Sequence, residues 1–286
     1  MGFVDLHTHS NVSDGLLTPT ELVGQAERRG LRVLALTDHE TVAGLAEAEA
    51  AAARSEIEFV PGVEINSDVD RHEVHVLGYY VDRHDPNLVA ALAHLEQQRV
   101  ERIDRMLAQL QIIDRPVDAD RVREIAGPGT IGRPHVARAM IERGYVDSVS
   151  EAFDRYLASG RPGFVPRRRN DPEVAVRLIR GNGGVPVLAH PLTSGDVEAT
   201  LRLLVPVGLM GMEVYYGEYD AATHEELRAI ADSWNLIATG GSDYHGEGFK
   251  LGRDLGGPPV PMEAVIRLRD AAARIRVTNG RDSRDS

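Results

Sequence analysis

Seven short apolar runs, each long enough for a strand and too short for a core helix, punctuate this chain. They occupy residues 3–6, 32–37, 58–65, 73–81, 185–189, 209–216 and 235–240. Helix-patterned stretches separate most of them. The first has clear end signals: Thr18 as cap, Pro19 at the first helical position, Glu21 closing a capping box and Gly30 as the stop. Residues 41–54, 220–234 and 261–275 also read as helices. Strands alternating with helices predict an α/β fold with a mostly parallel sheet, and seven such strands suit a barrel better than an open sheet.

The stretch 83–184 is too long for a single crossover. Helices are expected at 86–110, 117–126, 133–143 and 148–158, with 172–180 as the crossover proper. Residues 84–166 therefore read as a helical insertion grown from one loop, dividing a barrel formed by 1–83 and 167–278. The tail 279–286 is expected to be disordered.

Composition narrows the chemistry. There is no cysteine among 286 residues, so any metal site must be built from imidazole and carboxylate. No apolar run is long enough to span a membrane, and no basic-then-apolar segment opens the chain, so a cytoplasmic protein is expected. A net charge of −12 argues against a surface that coats nucleic acid. It leaves room for a phosphate substrate if bound cations reverse the local sign.

The ionisable residues fall in register with the strand ends. His7 and His9 follow the first strand, with Asp14 in the same loop. Asp38 and His39 follow the second, Glu64 lies near the end of the third, and His75 lies on the fourth. His190 follows the fifth, Glu213 lies on the sixth, and Asp243 and His245 follow the seventh. In a parallel barrel these ends meet at one rim, where active sites are built. Residues two apart on an extended segment face the same side, so His7 and His9 can grip one ion together. A lone histidine at a strand end is usually an ordinary residue; six sharing one topological position are not. His72 and His75 face opposite ways on a regular strand, so only one looks into the mouth, and His75 is the choice. Asp38 is placed to orient a ligand, and Glu213 to line the cavity.

The stretches DLHTHSNVSDG, ALTDHE, GVEI, HEVHVLGYY, VLAHP and GGSDYHG resemble the successive motifs of the polymerase-and-histidinol-phosphatase (PHP) family of metal-dependent phosphoesterases. The chain looks most like the family's stand-alone nucleotide phosphatases, which carry a similar helical insertion. The resemblance implies a distorted seven-stranded (β/α)7 barrel holding three metal ions with nine residues. His7, His9, Glu64 and Asp243 would hold one ion; Glu64 would bridge to a second, completed by His75 and His190; Asp14, His39 and His245 would hold the third. It implies catalytic roles for Asp38, His190 and Asp243. GRPHVAR (132–138) and GRPGFV (160–165) resemble stretches that cap the site, making Arg133, His135, Arg138 and Arg161 candidates for substrate binding. A helix N-terminus after Gly132 is itself an anion-binding feature. The basic run at 167–169 reads as a solvated turn.

Imidazole and carboxylate suit manganese, iron or zinc, with Mn²⁺ the first choice among two or three divalent ions. Such ions lower the pKa of a shared water and steady the leaving oxygen, so attack by a metal-bound hydroxide with inversion at phosphorus is expected. The substrate class implied is a nucleotide (a nucleoside 3′,5′-bisphosphate or 5′-nucleotide) or a short RNA trimmed from its 5′ end. No membrane and no obligate protein partner are implied. Histidinol-phosphate phosphatase is the competing enzyme, and a non-catalytic metal-binding module is the alternative from another class.

Overall fold

The computed structural model describes residues 3–69, 72–127, 129–166 and 170–282. The elements run β1 (Val4–Asp5), α1 (Pro19–Arg28), β2 (Val33–Leu36), α2 (Leu45–Ala52), β3 (Glu58–Val69) and β4 (His72–Tyr79). They continue α3 (Pro86–Ile112), α4 (Ala119–Ala126), α5 (Arg133–Glu142), α6 (Val149–Ala152), α7 (Pro172–Gly181) and β5 (Val185–Leu188). The last are α8 (Val197–Leu204), β6 (Gly211–Tyr216), α9 (Ala221–Ser233), β7 (Ile237–Gly241) and α10 (Met262–Asp282).

All seven expected strands form, in the sheet order β1-β2-β3-β4-β5-β6-β7. The sheet curls until its edges meet: Leu6 N–H donates to Gly240 O, and Thr8 bridges to Tyr244. A Cβ on Gly241 would lie 2.4 Å from the His7 backbone nitrogen, so only glycine lets these two edges approach.

One strand departs from the parallel expectation. β4 runs antiparallel to both β3 and β5. Its first residues therefore reach the rim where the other strands end, which is why His75, early in β4, still joins the rim. Helix α10 continues to Asp282, past the expected start of the tail at residue 279, and the rest of that tail, 283–286, lies outside the described residues. Helix α8, between β5 and β6, was not read from the sequence.

Period-two alternation sorts the strand residues between two cores. Val4, Leu6, Val33, Ala35, Val185 and Val187 pack together with α10. Leu34, Leu36, Val63, Ile65, Val74 and Val76 pack with the surrounding helices. Aspartate caps many of these helices; Asp85, Asp118, Asp171, Asp196 and Asp220 each accept from first-turn amides. Helices α3 to α6 share a further core that includes Ile103, Met106, Val122, Val136, Met140 and Leu157. The start of α3 is pinned to the barrel instead, through Leu88 and Leu92. After α6 the chain makes a π-helical turn, Phe153–Leu157.

Candidate metal centre

Two buried aspartates organise the loops at the rim. Asp5 accepts from the Ser242 amide (2.9 Å), the Ser242 hydroxyl (2.6 Å) and the Gly256 amide (2.8 Å). Asp38 accepts from the Ser10 amide (2.8 Å), the Ser10 hydroxyl (2.7 Å) and the Ser13 hydroxyl (2.6 Å). Burial raises both carboxyl pKa values against the pull of these donors. Asp38 is thus turned toward the 10–14 loop rather than the open cavity. The expected catalytic role does not match this geometry, because its oxygens are spent on three donors that shape the loop carrying Asp14.

The nine residues expected to hold metal converge. Glu64 is central. Its Oε1 lies 2.7 Å from His75 Nδ1 and 3.2 Å from His190 Nε2. Its Oε2 lies 3.2 Å from His7 Nε2, 3.3 Å from His9 Nε2 and 3.1 Å from His39 Nδ1. Asp243 Oδ1 is 3.1 Å from His9 Nε2 and 3.4 Å from His245 Nδ1. Asp14 is 3.2 Å from His245 Nε2 and 3.7 Å from His39 Nε2. Three groups bring their donor atoms within 4.8 Å of one another: His9, Asp14, His39 and His245; His7, His9 and Asp243; and His39, Glu64 and His75. His39 thus also stands beside Glu64, and His9 beside the Asp14 group, which the expected partition did not include.

Three observations fit this site to cations. First, both ring nitrogens of the fully buried His9 lack a hydrogen bond, although carboxylate oxygens stand 3.1 and 3.3 Å from Nε2 and 4.0 Å from Nδ1. Such a group is costly unless something binds it. Second, several rings are fixed from behind. His7 Nδ1 faces Glu213 at 3.1 Å, His190 Nδ1 faces the Thr193 hydroxyl at 3.0 Å, and His245 Nδ1 faces the Asp243 carbonyl at 2.9 Å. That leaves each Nε2 turned toward the carboxylates, the arrangement that orients metal-binding imidazoles. Third, burial disfavours ionised Asp14, Glu64 and Asp243, yet the neighbouring imidazoles, and Arg253 at Asp243, hold all three well below the usual carboxylate range. Burial alone would lower the imidazoles, but the carboxylates push His7 well up and His9 to about 9. The surroundings thus favour the charged forms of His7 and His9, while burial holds His39 well below the ordinary imidazole range; a divalent cation would displace the protons of the first two.

Backbone strain marks the same place. His190 and Asp243 both take positive φ, +26° and +53°. Non-glycine residues keep such conformations only where the surroundings over-determine them.

Above the cluster opens a cavity of about 480 Å³, walled by the rim and by α3, α5 and the π-helical turn. Of the four expected substrate-binding residues, only Arg133 lines it; its guanidinium meets Glu73 at 2.9 Å and lies over the Phe153 ring at 5.3 Å. His135 is a correction: its Nδ1 accepts the Gly132 amide at 2.9 Å, burial pushes its pKa to about 4, and it serves as a neutral helix cap. Arg138 donates to the Asp14 carbonyl at 3.1 Å and so supports the loop instead of the cavity. Arg161 is exposed and does not line the cavity. The run 167–169 lies outside the described residues. Sequence reasoning missed Arg99, Arg102, Lys250 and Arg253, which also line the cavity. Arg99 and Arg102 sit three apart on α3, one face of a helix, which is the signal that could have found them.

A PHP domain model matches residues 5–159. A 3′,5′-nucleoside bisphosphate phosphatase of Chromobacterium violaceum is 40% identical over 90% of this chain and 91% of its own length. A 5′-3′ exoribonuclease of Haemophilus influenzae is 35% identical, covering 84% of this chain and 89% of its own. The crystal structure of a metal-dependent phosphoesterase from Bifidobacterium adolescentis superposes with a TM-score of 0.86 at 30% identity, over 94% of this chain and 96% of that one. Likeness of this extent, over a rim that gathers the motif residues into one cluster, places the chain in the PHP family of metal-dependent phosphoesterases, as a hydrolase of phosphate esters.

Proposed function

We propose that this protein removes phosphate from nucleotides, acting on nucleoside 3′,5′-bisphosphates and 5′-nucleotides and trimming short RNA from its 5′ end. The named activities of its relatives support this reading. The observation that carries it is a nine-residue imidazole and carboxylate cluster under a cavity walled by Arg99, Arg102, Arg133, Lys250 and Arg253. Helices within 84–166 act as a cap that brings three of these cations over the barrel mouth.

In this reading two or three divalent cations, Mn²⁺ first by ligand chemistry, are held by His7, His9, Asp14, His39, Glu64, His75, His190, Asp243 and His245. When bound, they neutralise phosphoryl oxygens and make water a competent nucleophile near neutral pH. The chain's own part is to fix the imidazoles from behind through Glu213, Thr193 and the Asp243 carbonyl. Asp38 holds the 10–14 loop so that Asp14 stays at the rim. The arginines of the cavity wall supply planar donors suited to phosphate.

The test is turnover by the manganese-supplemented protein of adenosine 3′,5′-bisphosphate, a 5′-phosphorylated oligoribonucleotide and histidinol phosphate. The expected kcat/KM for the bisphosphate exceeds that for histidinol phosphate by at least about tenfold, as differential contacts to the larger substrate would give. Equal or reversed values would reject the nucleotide reading. A protein that binds no metal and turns over none of them would be an accessory module.

A further inference from the structure

We propose that Arg253 contacts the phosphoryl group directly, as a catalytic residue outside the metal cluster; this rests on the reading above. The chain returns from the rim through Gly246, Gly248 and Gly252, all at positive φ. It then passes so close to the end of β6 that a Cβ on Gly217 would stand 2.3 Å from the Gly252 carbonyl oxygen. This close approach delivers the Arg253 side chain to the edge of the cluster.

There the guanidinium is fixed on several sides. Nη1 lies 2.6 Å from Asp243 Oδ2, and Nε donates to Glu218 Oε1 at 2.6 Å. The guanidinium carbon lies over the Tyr216 ring, 5.6 Å from its centroid. Glu218 is itself held by Lys250, whose Nζ is 2.6 Å from Oε2. Two of the three guanidinium nitrogens are thereby committed. The third, Nη2, has no partner among the described residues, and Arg253 borders the cavity with 17% of its side chain exposed.

The contact also divides Asp243. Its Oδ2 takes Arg253 and the Tyr216 hydroxyl, which donates at 2.9 Å, while Oδ1 faces His9, His245 and His7. A fixed cation thus stands one carboxylate away from the imidazoles, at the border of the cavity. A phosphoryl group spreads its charge over three oxygens, and a preorganised planar donor at that edge can take one of them without moving. Arg99 and Arg133 also line the cavity, but their carboxylate partners, Glu40 and Glu73, are not members of the cluster.

The experiment compares Arg253→Lys, Arg253→Met and Tyr216→Phe with wild type. It reads manganese content by elemental analysis, inorganic phosphate affinity of the manganese-loaded protein by calorimetry, and kcat. For both Arg253 variants the expected results are unchanged manganese content, phosphate binding weaker by about tenfold and kcat lower by about 100-fold. Tyr216→Phe removes the other contact to the same carboxylate oxygen and should leave phosphate affinity within about twofold. The proposal is overturned if phosphate affinity is unchanged in the Arg253 variants, if manganese is lost in step with activity, or if Tyr216→Phe gives the same profile. Should wild type bind manganese and phosphate yet hydrolyse no nucleotide, the substrate reading fails, and the phosphate comparison still decides on Arg253.

Discussion

The rim of the barrel and the helical wall facing it hold their polar side chains on different terms. At the rim, imidazoles and carboxylates are buried against one another, and their far sides are tied down by Glu213, Thr193 and backbone carbonyls. On the wall, arginines meet carboxylates outside the cluster, as Arg99 meets Glu40 and Arg133 meets Glu73, while still bordering open space. The rim is built around a charge to be supplied by ions. The wall is built to meet a charge that arrives with substrate. Substitutions of the rim imidazoles and carboxylates should therefore act on metal content and rate together, and those on the helical wall on substrate affinity or on nothing.

The strongest attempt to break this contrast is Glu64→Gln. Glu64 touches five imidazoles, so one amide weakens the whole cluster. A loss of several kcal/mol of charge stabilisation corresponds to about a thousandfold in kcat/KM, with bound manganese falling alongside. Retention of full metal content and rate would show that the cluster is not the site. Glu213→Gln, one layer back, should cost about 10- to 100-fold in metal affinity or activity because His7 loses its orienting carboxylate. Metal titration followed by assay would measure it.

A pH series separates the two regions next. In the metal-free protein, His7 and His9 are raised above the ordinary 6.5, His9 to about 9. Their stabilising contribution is therefore complete below pH 6.5 and lost as pH rises toward 9. The melting temperature of chelator-treated protein should fall across that window. With manganese it should hold or rise, because only deprotonated imidazole binds metal. Parallel curves with and without manganese would contradict this.

Smaller effects are expected from the wall. His135→Ala removes a helix cap and should cost about 1 kcal/mol in denaturant unfolding, with KM unchanged. Arg161→Ala should stay within about 0.5 kcal/mol and leave KM alone, since the side chain is exposed. A raised KM in either would return that residue to the substrate site.

The sequence alone determined the seven strands and the ionisable residues at their ends; the resemblance to the family singled out nine of these as metal ligands. Strand length and period-two alternation are local properties, and barrel topology carries every strand end to one place whatever the details of packing. His75 shows the limit of that rule. It reaches the rim because β4 runs antiparallel, a choice made by its pairing with β3 and β5.

Only the tertiary structure decided which side chains of α5 face the cavity. Arg133, His135 and Arg138 lie within one turn and a half of α5, yet one lines the cavity, one caps its own helix and one supports the Asp14 loop. Helix rotation and loop closure assign those fates, and neither leaves a mark in the local pattern. Arg253 was hidden for the same reason. Its place beside Asp243 depends on two backbones meeting at Gly217 and Gly252, a contact between segments that no spacing along the chain encodes.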